Sequence, residues 1–291
     1  MEKKTLTDKF NQMVLEAKDN PAALAEIYRM VADASESGEK YGLLSLAYHE
    51  GIGVEEDLEK SFAYAEKAAF EGGDPLGYLM LGYMCDHFET PDQSEGGPRQ
   101  KYDHYDAERF YEICAGKDSP WKKQACNWLG DYYLDSTKGG DPEIGVEYYE
   151  KVAYEDEEAA GKLSDYYWDI VMPDNTDDKY WTDPLFKWTK VAAELDPEEY
   201  DYRLGWLYAD GIGCVKSPWS AMKYFNAAYF HGDWRGALSI ADMLEYYMND
   251  HADTEEEKKA VGDIVALWRD KANEMKEQSD AEEHDPSEEE D

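Results

Sequence analysis

Residues 41–74 read YGLLSLAYHEGIGVEEDLEKSFAYAEKAAFEGGD, and residues 199–234 read EYDYRLGWLYADGIGCVKSPWSAMKYFNAAYFHGDW. The second stretch repeats the first at a constant offset of 160 residues, without a gap. Leu44 answers Leu204, Tyr48 answers Tyr208, and Gly51-Ile52-Gly53 answers Gly211-Ile212-Gly213. Ser61, Tyr64, Ala68 and Gly72 fall on Ala221, Tyr224, Ala228 and Gly232. So many matches at one offset, glycines included, mark an internal repeat, and a repeat governs how everything else is read.

The unit has a physical logic. Residues 41–50 and 57–70 each carry apolar side chains at helical spacing. The Gly-Ile-Gly between them suits a tight turn, because glycine takes positive φ without steric cost. Small residues at Ser45 and Gly205, and at Ala68 and Ala228, permit close helix approach. Gly72 and Gly232 are expected to stop the second helix as C′ residues. The unit is an antiparallel helix pair that cannot bury its apolar faces alone, so it must stack.

The remaining chain divides accordingly. The spacing predicts a first helix over 7–18 with Thr7 as N-cap, and a second opening at Asn20-Pro21 and running to about Glu36. After the full repeat at 39–74 comes a pair at 75–118, interrupted by the polar, turn-rich segment 87–104. A pair at 121–157 aligns to the first repeat at an offset of 85, with Leu129, Tyr133, Tyr149 and Ala153 on Leu44, Tyr48, Tyr64 and Ala68. A pair at 158–195 is expected to carry a second insertion at 172–184, MPDNTDDKYWTDP. The clean repeat, bounded at 196–234, follows. A capping pair closes the array over 235–278, its last helix opened by Thr254 and Glu257 at capping-box spacing. Val261, Ile264, Val265, Trp268 and Met275 are its expected apolar stripe, with Lys258, Lys259, Arg269 and Lys271 facing away. Residues 279–291 hold eight acids and no base, the composition of a disordered acidic tail. The expected fold class is all-α: one α/α superhelical solenoid of about seven antiparallel pairs over residues 1–278, beginning with an atypical pair at 1–38.

Composition bounds the partners. The chain has 291 residues, a formal net charge of -38, 24 Tyr and 9 Trp. Such acidity repels nucleic acid and anionic lipid and favours a cationic partner. The start, MEKKTLTDKFNQ, lacks the apolar core of a signal peptide, and no run is long and apolar enough to span a membrane. Cys85, Cys114, Cys126 and Cys214 show no C-x-x-C spacing and read as reduced, small buried hydrophobes. A cytoplasmic protein is the expectation.

The residues L-G-x-x-Y-x-x-G-x-G followed by D-x-x-K-A/S-x-x-Y-x-x-K-A-A-x-x-G resemble the Sel1-like repeat, a relative of the tetratricopeptide repeat. The resemblance is close at 41–74 and 199–234, recognisable at 121–157 and degenerate elsewhere. Ser45 and Ser164 stand where the family has glycine. The resemblance implies a right-handed superhelix whose first helices line a concave face, and adaptor work in protein complexes. It also implies that secreted members carry a disulfide within each repeat, a cysteine pattern this chain does not have.

Catalytic and cofactor signatures are not found. There is no Walker A sequence, no G-x-S-x-G and no H-E-x-x-H. Gly51-Ile52-Gly53 lacks the third glycine of a dinucleotide fingerprint and joins two helices. The segment DNTDD at 174–178 has carboxylates for calcium but lacks the glycine and terminal Glu of an EF-hand loop. Tyr48, Tyr133, Tyr167 and Tyr208 fall on core positions and read as packing. No cofactor, metal or catalytic residue is therefore expected.

One pattern points to binding. With the motif Leu of each first helix as position zero, positions two and six should face the concave groove. Position two holds Leu46, Tyr83, Asp131, Asp165, Trp206 and Asp242. Position six holds Glu50, His87, Asp135, Asp169, Asp210 and Tyr246. Seven of these twelve are acids and none is a base, with Trp168 and Tyr202 on neighbouring positions. A carboxylate near a helix C-terminus opposes the macrodipole by roughly 0.3–1 kcal/mol, so helix stability alone does not select it. Against this stands the frequency of acids throughout the chain and the fondness of Asp for turns. Carboxylates interleaved with aromatic faces suit Lys/Arg-rich ligands through ion pairing and cation–π contact. The reading is a non-enzymatic scaffold or adaptor for a cationic protein segment, with Glu50, Tyr83, Asp131, Asp135, Asp165, Trp168, Asp169, Tyr202, Trp206 and Asp210 as contact residues. The alternatives are an acidic inhibitor, either a nucleic-acid mimic or an immunity-type protein, and a hydrolase using groove carboxylates.

Overall fold

The computed structural model describes residues 4–18, 20–87, 102, 104–135, 140–174, 177–249 and 251–282. These residues form fourteen α-helices and no strand, so the fold is an all-α, α/α solenoid. Two compact units divide the chain at Val152. The first contains α1 (Leu6–Ala17), α2 (Pro21–Ala32), α3 (Gly38–His49), α4 (Leu58–Glu66), α5 (Pro75–Asp86), α6 (His104–Ala115), α7 (Lys122–Leu134) and α8 (Pro142–Glu150). The second contains α9 (Glu157–Asp174), α10 (Lys179–Leu195), α11 (Pro197–Asp210), α12 (Pro218–Phe230), α13 (Trp234–Asn249) and α14 (Glu255–Glu282). Consecutive helices pair within each unit, and the second helix of a pair packs on the first helix of the next.

The repeat motif explains the packing. Leu44 and Leu204 are buried, as are Ala68 and Ala228. The turn glycines Gly51, Gly53, Gly211 and Gly213 all take positive φ, between 64° and 77°. Gly53 and Gly213 also touch the preceding pair: a Cβ there would collide with the carbonyl oxygen of Leu24 and of Thr182, respectively. Each matched repeat carries a parallel tyrosine stack, Tyr48–Tyr64, Tyr133–Tyr148 and Tyr208–Tyr224, with centroids 5.7, 6.0 and 5.6 Å apart. Tyr48, Tyr133 and Tyr208 thus serve in packing, and Tyr48 adds a hydroxyl contact to Tyr28 at 2.8 Å.

The helix-crossing position is solved in two ways. Gly130 lies under the ring of Tyr149, and Gly205 under Phe225, leaving no room for a Cβ. Ser45 and Ser164, which replace that glycine, are fully buried and find hydroxyl partners on the facing helix. Ser45 meets Ser61 at 3.2 Å, and Ser164 meets Thr189 at 2.8 Å. A small facing residue and a hydrogen bond replace the ring-over-glycine contact, so the polar substitution leaves no buried hydroxyl unpaired.

Several local expectations need correction. The N-cap of α1 is Thr5, whose capping box closes on Asp8; Thr7 is buried and donates from Oγ1 to Glu39 at 2.9 Å. Asn20 and Pro21 cap α2 as expected, but the helix ends at Ala32. The left-handed residue after α4 is Gly73 (φ 63°), because a π-helical turn over Lys67–Glu71 shifts the stop by one residue. Gly72 is instead needed for close approach to the backbone of Gly38. Gly232 does take positive φ after α12.

The supposed insertion at 172–184 is largely helix. The α9 helix runs to Asp174, and α10 starts at Lys179 with Asp178 as N-cap. Thr182 is buried, and Trp181 packs on the cluster of Val171, Leu185 and Leu207. That packing outweighs the helix-breaking Pro184, as tertiary contacts often outweigh propensity. The 87–104 segment falls mostly outside the described residues.

The closing helix α14 opens with the expected capping box. Thr254 Oγ1 accepts from Glu257 N at 3.2 Å, and Glu257 accepts from Thr254 N at 2.9 Å. Its inner face holds Val265, Trp268, Ala272 and Met275, whereas Ile264 is 48% exposed and lies off the stripe. Arg269 folds back to Asp242 and Glu245, and Lys271 sits 4.6 Å from the Trp268 ring centre. The helix continues to Glu282, four residues beyond the expected boundary, and the rest of the acidic stretch lies outside the described residues.

Candidate functional site

In the first unit, α3, α5 and α7 lie side by side. Between them opens a pocket of about 330 Å³. Its α3 wall is Leu46, His49 and Glu50; its α5 wall is Leu79, Met80, Tyr83 and the C-cap residue His87. Tyr111 from α6 forms the back, and Gln124 and Trp128 from α7 close the far side. Leu46 and Glu50, and Tyr83 and His87, are the position-two and position-six residues of two successive pairs. The helical phase read from sequence therefore brings them to one pocket.

Two aromatic stacks build the pocket. His49 meets Tyr83 edge-on at 5.1 Å, and Tyr83 stacks on His87 at 4.0 Å. Tyr111 stacks on Trp128 at 4.3 Å, and Trp128 on Tyr132 at 5.1 Å. Trp128 Nε1 donates to Asp86 Oδ2 at 2.9 Å, which fixes the indole. Burial pushes the Tyr111 phenol well above its ordinary range, and the nearby Asp86 carboxylate adds to this. Tyr111 is therefore a neutral wall. Glu50 is exposed at the rim, 2.6 Å from His49 Nδ1. No Lys or Arg is among the described lining residues.

The other first-unit candidates, Asp131 and Asp135, do not line this pocket. Asp131 accepts the Tyr149 hydroxyl at 2.7 Å, so part of its role is structural. Asp135 is the half-buried C-cap of α7.

In the second unit the same register is occupied differently. Asp165 pairs with the guanidinium of Arg203 from α11. That guanidinium also lies 5.2 Å from the Trp168 ring centre and 5.4 Å from that of Tyr200. Burial lifts the Tyr200 phenol to about 12, with Asp165 adding to the shift. Trp168 further contacts Trp206 at 5.7 Å. Arg235 stands 4.6 Å over Tyr202. The sequence reading missed these cations because it scanned positions two and six, and Arg203 sits one residue before the motif Leu. Asp169 and Asp210 are exposed. Asp210 lines a larger, polar pocket of about 740 Å³, together with Asp177, Lys179, Thr182 and the turn Gly211–Val215.

No group of three or more His, Cys, Asp or Glu is arranged to hold a metal among the described residues. Asp177 of the calcium-like segment lines the larger pocket without such a group. Cys85, Cys114 and Cys126 are buried and Cys214 is half-buried, none of them in a disulfide; burial raises the Cys114 thiol to about 12, which makes it a packing residue. No helix among the described residues is long and apolar enough to cross a membrane.

Comparison with known proteins agrees with this architecture. The Sel1 repeat family model matches residues 40–72, 123–156 and 199–233. No curated protein matches significantly. Among solved structures, c5321, a protective antigen of uropathogenic Escherichia coli strains with an SLR fold, aligns with a TM-score of 0.59 at 21% identity. That alignment covers 92% of this chain and 54% of the antigen, so this chain spans about half of its length. A Sel1 repeat protein from Oxalobacter formigenes aligns with a TM-score of 0.53 at 18% identity, covering 90% of this chain and 99% of that one. Residues 40–72, 123–156 and 199–233 are thus Sel1-type repeats, set in a helix-pair stack of the kind seen in these SLR folds.

Proposed function

We propose that the protein is a non-enzymatic adaptor that binds a cationic segment of a partner protein on the exposed faces of its first helices. The family's general role as a protein-interaction scaffold supports the outer part of this reading. The finer part rests on one observation: a ring-walled pocket rimmed by Glu50 has no Lys or Arg among its described lining residues, in a chain of net charge -38. Aromatic faces attract cations, and the surrounding field draws a basic partner in and repels nucleic acid and anionic lipid. The contact set is Glu50 and Tyr83, with Asp131, Asp135, Asp169 and Asp210 as further exposed or half-exposed acids. Asp165, Trp168, Tyr202 and Trp206 belong to it as a surface already furnished with arginines. The compartment proposed is the cytoplasm.

Association kinetics test this reading. A fluorescent lysine/arginine-rich peptide should bind with an on-rate that falls steeply with ionic strength, since exposed charges are screened beyond about 8 Å at physiological salt. Glu50→Gln, Asp131→Asn and Asp169→Asn combined should slow association more than Glu288, Glu289 and Glu290 all changed to Gln. Equal effects would mean that total charge does the recognising, and would favour an acidic inhibitor.

A further inference from the structure

The two units carry one constellation in two versions. In the second unit, α9 presents Asp165 and Trp168, two and five residues after its motif Leu163. The residue before the next motif Leu, Arg203, closes on both. In the first unit, α5 presents Tyr83 and Asp86, again two and five residues after its motif Leu81. The residue before the next motif Leu is Trp128, and it closes on Asp86 through Nε1. Carboxylate and ring have exchanged places, and the cation has been replaced by a neutral indole.

We propose that the α3–α5–α7 pocket is a receptor for an arginine side chain presented by the partner, an interaction that Arg203 makes within the chain in the second unit. The proposal rests on the adaptor reading above and sharpens it to one residue type and one pocket. The lining favours arginine on three grounds. Tyr83, backed by His87, is 37% exposed, and a planar guanidinium stacks on an exposed ring whereas an ammonium is a compact, strongly hydrated charge. Leu46, Leu79 and Met80 offer apolar surface for the aliphatic stem, which long cationic side chains bury readily. Glu50 stands at the mouth, 54% exposed at its side chain, where a carboxylate can accept the guanidinium fork. Asp86 is already engaged by Trp128 Nε1 and adds negative potential at the edge of that ring.

The test uses the full chain and three acetylated, amidated peptides of sequence Ala-X-Ala-X-Ala, where X is arginine, lysine or the neutral isostere citrulline. Binding is read by calorimetry and by the indole N–H resonance of Trp128, assigned with Trp128→Phe. The arginine peptide should shift that resonance and bind more tightly than the lysine peptide, and the citrulline peptide should lose roughly tenfold in affinity. Glu50→Gln and Tyr83→Leu should each weaken the arginine peptide by about fivefold, the scale of one exposed cation–π or charge contact. Asp263→Asn, an exposed acid of α14 outside the contact set, should leave it unchanged. Glu50 is 54% exposed at its side chain, and glutamine keeps an oxygen for His49 Nδ1, so its variant reports on binding even if Tyr83→Leu folds poorly. If the arginine peptide binds but ignores Glu50→Gln and leaves the Trp128 resonance in place, the pocket assignment is overturned while the adaptor reading stands. If neither cationic peptide binds at low salt, both fall.

Discussion

The contact between α5 and α7 and the contact between α9 and α11 occupy the same register of the repeat, yet they reach electrostatic balance differently. In the second, an acid and a tryptophan are matched from inside by Arg203. In the first, an acid and a tyrosine face a tryptophan, and no cation lines the described pocket. The scaffold fixes where three side chains meet. The side chains chosen decide whether that meeting is satisfied within the chain or open to a guest. A stack of near-identical pairs can therefore hold structural and recognition copies of one arrangement.

The comparison holds only if both units are built on the same core. The largest expected effect is on that core: Leu44→Ala and Leu204→Ala should each destabilise by about 2–5 kcal/mol, read by urea denaturation. Each repeat leans on its neighbours, so the loss should appear first as local unfolding of the mutated unit in hydrogen exchange. A large effect in one unit alone would break the equivalence. Next, Gly53→Ala and Gly213→Ala should each cost at least about 1–3 kcal/mol, the scale of a strained positive-φ residue, because the new Cβ also meets a carbonyl oxygen of the preceding pair. A change within error at either site would mean that the turn does not dock there.

Smaller effects sharpen the contrast. Ser164→Ala should cost about 1 kcal/mol because Thr189 loses its hydroxyl partner. Ser45→Ala should cost less, since Ser61 Oγ keeps its 2.9 Å bond to the Ser45 carbonyl. Thermal unfolding in the reverse order would refute this account of the glycine replacements. Smallest are two N-caps of the first unit. Burial holds the Asp74 carboxyl above its ordinary range despite bonds from the Leu76 and Gly77 amides. Its folded form therefore favours the proton, adds stability on acidification and withdraws it as pH rises through the folded value. Asp57 is shifted down, chiefly by Lys60, so its contribution is present at neutral pH and is lost on acidification. Asn caps a helix about as well as Asp. Asp74→Asn should thus leave neutral-pH stability equal or higher, whereas Asp57→Asn should lower it; the opposite order would overturn the assignment.

What the sequence revealed follows from what repeats. The turn glycines, Leu44 and Leu204, and the stacks Tyr48–Tyr64 and Tyr208–Tyr224 recur at one offset, so helix pairing and phase were legible; in the middle repeat Tyr148, not the aligned Tyr149, takes the stacking role. The same phase brought Leu46, Glu50, Tyr83 and His87 to one pocket. Cross-helix choices were not legible. Nothing local says that Arg203 reaches back to Asp165, or that Trp128 reaches Asp86, because each bond joins residues about forty positions apart. Trp181 and Thr182 hid in a stretch whose Pro and Asp content reads as loop. The π-helical turn at Lys67–Glu71 shifted a glycine's role by one residue, which no propensity signals.

The central claim is that the second unit supplies its arginine from within, through Arg203, whereas the first, with Trp128 at that register position, takes one from a partner. Calorimetric titration of Arg203→Ala with the arginine peptide tests it most directly. Removing the side chain leaves Asp165 and Trp168 without their internal cation, so a second site should appear beside the one in the wild-type chain, and Asp165→Asn added to Arg203→Ala should abolish it. A stoichiometry unchanged from wild type in folded Arg203→Ala protein would contradict the equivalence of the two constellations.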